Sequence, residues 1–174
     1  MIVTSTPDVV ADQAQRDATV VETSPDRHLL PDWHQLAAAF RGELGRSPGD
    51  HLVTRWAGDF ANLHRARHLT PKRAPEIDCR RAQIVGLVDG WTETHVTTTR
   101  HGSSPTQSVG AVVDEVAAAY VAAEYCLMTA DDVAAFAVHA AWVRAAELAC
   151  RWSDLVAQNP GRWRSSRVVG QELR

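Results

Sequence analysis

His64 and His68 stand one helical turn apart, a spacing that clamps a divalent ion when a third protein ligand joins them. No Glu follows His64 as the zinc-protease pattern requires, and two imidazoles alone make an incomplete site. Both are therefore expected as surface histidines, with no metal assigned. Asp78 and Asp89 share a helical face, but eleven residues at about 1.5 Å rise hold them roughly 16 Å apart, too far for one metal or one acid-base pair. A carboxylate-bridged metal centre in a helical bundle needs inward Glu-x-x-His pairs, and the chain has none. Ser103, Ser104 and Thr106 lie near His101 without a Gly-x-Ser-x-Gly elbow, and no phosphate-binding glycine loop is present. These patterns nominate no catalytic residue and no cofactor.

Charge is the stronger signal. Arg65, Arg67, Lys72, Arg73, Arg80 and Arg81 are accompanied over the same interval only by Glu76 and Asp78. Two helices joined there would present a basic patch to phosphate, on nucleic acid or on a small anion, although a solvated basic face explains the same cluster. The interval is too long and proline-rich for a helix-turn-helix. Arg162, Trp163, Arg164 and Arg167 repeat the theme near the C-terminus, where the indole would stack on a base or anchor on a protein. Toward the end of the helical region, His139, Arg144, Glu147, Arg151 and Asp154 share one side of a helical wheel. Pairing of Glu147 with Arg151 and of Arg151 with Asp154 is expected on an exposed face.

The elements that must position these groups are helical. A chain of 174 residues, 45% hydrophobic and 22% charged, buries one sizeable core, so one domain with tails is expected. Residues 1–29, rich in Thr, Ser, Asp and Pro, read as a flexible N-terminal arm; residues 30–158 form the bundle; residues 159–174 form a basic tail. Pro31 suits the first turn of a helix carrying Trp33, Leu36, Ala37 and Phe40. Leu52, Val53, Trp56, Phe60 and Leu63 mark a second helix that fades before Pro71 and Pro75. A third spans Glu76 to Trp91, where Gly86 and Gly90 cost about 1 kcal/mol each relative to Ala, so that end either packs closely or frays. Thr97 to Gln107 reads as a loop. A fourth helix, Ser108 to Cys126, is lined with small residues. A fifth, Thr129 to Ala157, starts on a capping-box-like Thr129 and Asp132 and lies antiparallel to the fourth. No convincing strand is present, and an all-α bundle of four to five helices is the expected fold. Trp33, Trp56, Trp91, Trp142 and Trp152 all fall in helices, as core residues or as the lining of a pocket or dimer face.

Compartment follows from composition. Met1 to Asp17 lacks the basic cluster of an export signal, and Val133 to Cys150 carries His139, Arg144 and Glu147 where a bilayer would charge roughly 2.5–3.5 kcal/mol per ion. No membrane association is expected. Cys79, Cys126 and Cys150 are odd in number and without metal spacing, which suits a reducing, cytoplasmic setting. Of the 18 basic residues only Lys72 is lysine, a skew expected of high-GC coding in a bacterium or phage.

Three ordered stretches resemble the family called domain of unknown function 4254. They are Glu76-Ile77-Asp78 with Arg80-Arg81-Ala82, Val88-Asp89 and Trp91; Thr106 to Gly110 with Val112, Val113 and Asp114; and His139, Trp142, Ala146-Glu147-Leu148 and Asp154-Leu155. The likeness covers Leu30 to Arg164. Gln107 and Glu115 depart from it, standing where the family pattern has an acid and a base. The resemblance implies an all-helical fold and carries no assigned reaction. It also implies that Glu76, Asp78, Arg81, Asp89, Asp114, His139 and Glu147 turn inward as a polar network joining three helices. Each such group must be paired, since an unsatisfied one costs about 1–3 kcal/mol. That network either fixes helix register or floors a ligand site; nothing in the residue types selects a chemistry, which favours the structural role.

The functional expectation is a non-enzymatic helical protein acting through a protein partner or as a homo-oligomer. Two rivals are a hydrolase or transferase on a phosphorylated small molecule, with Arg80, Arg81 and His139 holding the anion and Asp114 as base, and nucleic-acid binding through the Arg65 to Arg81 patch.

Overall fold

Asp32 opens the first helix, α1 (Trp33–Phe40). Its carboxylate accepts from the Gln35 backbone N–H at 2.8 Å while the Gln35 side chain accepts from the Asp32 N–H at 2.9 Å, satisfying two donors the helix would otherwise orphan. The computed structural model describes residues 30–96 and 108–159. The expected N-terminal arm, the Thr97 to Gln107 loop and residues 160–174 of the basic tail, with Arg162, Trp163, Arg164 and Arg167, lie outside the described residues.

His51 caps α2 (Leu52–Leu69), its Nδ1 accepting from the Val53 N–H at 3.1 Å. The helix stops short of Pro71, because proline disfavours helical geometry in the residue before it and has no N–H to donate. One 3₁₀ turn, Pro71–Arg73, then leads into α3 (Ala74–His95), with Pro75 tolerated in its first turn. α3 neither frays nor packs closely at Gly86 and Gly90: the helix continues to His95, and a Cβ at either glycine would meet nothing within 4 Å. Ser108 caps α4 (Val109–Thr129), its Oγ accepting from the Ala111 N–H at 2.8 Å.

The boundary between the last two helices differs from the sequence expectation. α4 runs through Thr129, whose hydroxyl donates back to the Tyr125 carbonyl at 2.8 Å and so serves a helix end instead of a helix start. Asp132 accepts from the Ala134 N–H at 2.9 Å within the connecting turn, and α5 (Phe136–Ala157) begins without a side-chain cap. The expected antiparallel pairing of the two helices holds, and it is the most extensive packing among the described helices.

These five helices, with no strand among the described residues, make an all-α bundle. α4 is its axis, packed against α2, α3 and α5, whereas the backbone of α5 comes close to those of α4 and α1 and not to those of α2 or α3. The core joins Leu36 and Phe40 of α1, Val53 and Phe60 of α2, Ile84 and Val88 of α3, Val113 and Val116 of α4, and Leu148 and Trp152 of α5. Small residues on α4 permit this. At Gly110 a Cβ would lie 2.6 Å from the Val85 carbonyl oxygen, so only glycine lets α3 and α4 approach there. Trp152 is fully buried and its indole N–H donates to the Pro31 carbonyl at 2.9 Å, tying α5 to the entry of α1. Trp91 is also buried, and Trp33, Trp56 and Trp142 pack partly buried against the core. No described helix is long and apolar enough to cross a membrane.

Candidate functional site

The stripe of α2 that carries Val53, Ala57 and Phe60 into the core continues one turn on to His64, so this histidine is buried and not on the surface. Its Nε2 lies 2.8 Å from Asp114 Oδ1 on α4. An ionised carboxylate only accepts, so the imidazole N–H donates. Arg81 of α3 grips the same carboxylate in a fork, Nε to Oδ1 at 2.9 Å and Nη2 to Oδ2 at 2.5 Å. Its third nitrogen, Nη1, donates to Asp78 Oδ1 at 2.9 Å, and Asp78 also accepts from Arg67 of α2. One hub thereby joins α2, α3 and α4 through His64, Arg67, Asp78, Arg81 and Asp114.

Accessibility falls toward the centre of the hub. The side chains of Asp78 and Arg67 are 42% and 44% exposed, Arg81 21%, Asp114 13% and His64 9%. Burial pushes the Asp114 carboxyl up, but the hydrogen bonds from His64 and Arg81 outweigh it and hold the group below the ordinary aspartate value. The Asp114 hydrogen bond raises Arg81 against its own desolvation. Asp114 is thus fixed as an anion with both oxygens engaged, which makes it a clamp and a poor base. Among the described residues no buried side-chain nitrogen or oxygen lacks a partner, and no group of three or more His, Cys, Asp or Glu is arranged to hold a metal.

Of the seven residues expected to turn inward together, Asp78, Arg81 and Asp114 converge. Asp89 turns inward elsewhere, capping α4 from α3: it accepts from Ser108 Oγ at 2.6 Å and from the Gly110 N–H at 2.8 Å, placing a negative charge at the helix's positive end. Glu76 stays exposed and pairs with Arg73 across one turn. His139 and Glu147 are exposed on α5, whose backbone does not come close to those of α2 or α3, and neither joins the hub. Asp114 faces α2 and α3, while its neighbour Glu115 faces α5 and accepts from Arg144 at 2.6 Å and Arg151 at 3.3 Å. Glu147 pairs with Arg144, at 3.6 Å, and not with Arg151 as its spacing suggested. Sequence reasoning missed His64 and Arg67 as hub members; the continuation of the buried α2 stripe was the signal for the first. His68 is exposed as expected and stacks on Tyr125 at 4.7 Å between ring centroids.

The basic interval is largely paired, in part across helices. Arg65 pairs with Glu124 at 2.7 Å, Arg67 with Asp78, Arg73 with Glu76, and Arg80 bonds Gln83 at 3.0 Å. Lys72 is the cation of the set that makes no polar side-chain contact among the described residues.

Apolar exposure is concentrated at one pole. The C-terminal ends of α2 and α4 and the start of α5 meet there, and six of the eight exposed large hydrophobic residues, Leu69, Tyr125, Leu127, Met128, Val133 and Phe136, belong to it. Only Leu87 and Val143 of the eight lie elsewhere, so exposed apolar side chains collect at this end of the described bundle. Elsewhere, Trp33 and Trp142 flank an open apolar depression of about 300 Å³ floored by Ala145 and Ala149.

Comparison of the chain with protein-family models, curated proteins and solved structures gives no match.

Proposed function

We propose that this chain is a non-enzymatic helical binding protein of the cytoplasm, in a bacterium or phage, that acts through protein contact or self-association and belongs to the family called domain of unknown function 4254. The exposed apolar pole carries this reading. Phe136 is 84% and Met128 85% exposed, an arrangement that water penalises unless another surface covers it. The ion-pair hub supports the same reading from the other side. Its acid is fully engaged by Arg81 and His64, while the other anion-holding residues an enzyme would need stand apart from it, Arg80 exposed and bonded to Gln83 and His139 exposed on α5. The basic interval that would meet nucleic acid already has carboxylate partners for most of its charge.

Site-specific photo-crosslinking tests the proposal. A benzophenone side chain at the position of Phe136, in the full chain inside expressing cells, should give a discrete protein adduct, while one at exposed Leu87 on α3 should not. No adduct at Phe136, or equal adducts at both, would remove the reading.

A further inference from the structure

We infer that the occupant of the apolar pole is a second copy of this chain, docked about a twofold axis through the end of α4. The inference rests on the pole being a binding surface and names its partner.

The argument comes from how charge is distributed around that surface. Three parts lie side by side at the pole. On one flank is the α2–α3 connection, with Leu69 and Lys72; in the middle is the end of α4, with Tyr125, Leu127 and Met128; on the other flank is the α4–α5 turn and first residues of α5, with Asp131, Asp132, Val133 and Phe136. The order is fixed by packing, since the backbone of the 3₁₀ turn carrying Lys72 comes close only to those of α2 and α3, and that of α5 to neither. Lys72 is exposed and makes no ion pair among the described residues, whereas Arg65, Arg67 and Arg73 around it are each paired with a carboxylate. Asp131 and Asp132 are likewise exposed and without an ion pair among the described residues. The two flanks therefore carry unspent charge of opposite sign on either side of an apolar centre.

A twofold interface requires a surface that complements itself, residue i of one copy meeting residue j of the other and j meeting i. Rotation about the α4 end sets the positive flank of each copy against the negative flank of the other and lays Met128 and Leu127 of both together. Phe136, the larger exposed side chain of the acidic flank, then meets Leu69 of the opposite copy. A different partner would have to supply an acid opposite Lys72 and a base opposite Asp131 and Asp132, whereas a second copy already carries both in the right order, and like-charged flanks would have opposed the twofold arrangement.

The test is the oligomeric state of the intact chain by size exclusion with light scattering and by sedimentation. The expected species has twice the 19.1 kDa chain mass. Phe136→Asp and Met128→Asp should each weaken it by roughly thirtyfold or more, with unchanged far-UV circular dichroism, while Leu87→Asp leaves it intact. Lys72→Glu should weaken it, and so should Asp131→Lys with Asp132→Lys; mixing those two variants should restore a heterodimer. A dimer indifferent to the pole substitutions, or a mixture that fails to recover, would overturn the inference. A monomer whose Phe136 position still cross-links to another protein would also end it yet leave the binding reading standing. A monomer with no cross-link there would end both.

Discussion

Asp114 is the residue on which the hub turns, and its removal leaves a buried imidazole without its acceptor and a half-buried guanidinium with Asp78 alone. Asp114→Ala should therefore cost roughly 2–3 kcal/mol, an allowance reduced for the part of Arg81 that water still reaches. A shift of the urea midpoint at constant slope would register it. Asp114→Asn, which keeps the shape and loses the charge, should recover only part of that loss. The acid response has a definite sign. Because the folded carboxyl lies below its unfolded value of about 3.9, the unfolded chain binds the proton more tightly. The stabilisation is fully present above that value and disappears as pH falls through the lower, folded one. Urea midpoints taken from about pH 5 downward should fall less steeply in Asp114→Asn than in the parent, and parallel curves would show that this carboxylate is not responsible. At this scale the sequence was only partly legible. Of the seven residues expected to turn inward, Asp78, Arg81 and Asp114 come together, but His64 looked like half of an exposed pair with His68. Only the neighbouring helices decide that one of two residues a turn apart is covered and the other is not.

Between elements, backbone separation decides what a side chain is allowed to be. Gly110→Ala would drive a methyl into the Val85 carbonyl, and either α3 or α4 must shift. A loss of about 1–3 kcal/mol in thermal or urea unfolding is expected. Gly86 offers the opposite experiment on the same helix pair. It sits mid-helix beside open space, so Gly86→Ala should add roughly 0.5–1 kcal/mol by restricting the unfolded chain. If both substitutions moved stability in one direction, the close approach at Gly110 would not be the operative constraint. The existence of each helix was readable from apolar spacing and prolines, as the stop of α2 before Pro71 illustrates. The start of α5 was not, because Thr129 and Asp132 satisfy a local rule for a helix beginning and the chain spends them on a helix end and a turn instead. Gly86 and Gly90 show the same limit: spacing places them on α3 but cannot say whether that face meets a neighbour.

For the molecule as a whole, the decisive arrangement is that α4 is surrounded and α5 is peripheral. This is why His139 and Glu147, reasonable as inward groups on a helical wheel, stay apart from the hub, while Arg144 and Arg151 beside them close on Glu115. Which helices are neighbours is a property of the assembled bundle, and no single-helix pattern encodes it. Trp152 reports on that assembly. Trp152→Phe removes the donor to Pro31 and leaves space in a fully buried site, so a cost of about 1–3 kcal/mol is expected, with α1 and α5 losing hydrogen-exchange protection together. Protection lost from α5 alone would mean the indole does not tie the two helices. The same tie has a practical consequence. Because Pro31 is held beside Trp152, near the end of α5 and away from Phe136, the first and last described residues emerge on the side opposite the oily surface. A spectroscopic label placed close to Leu30 or Asn159 would therefore sit far from that contact face and leave it presented to solution.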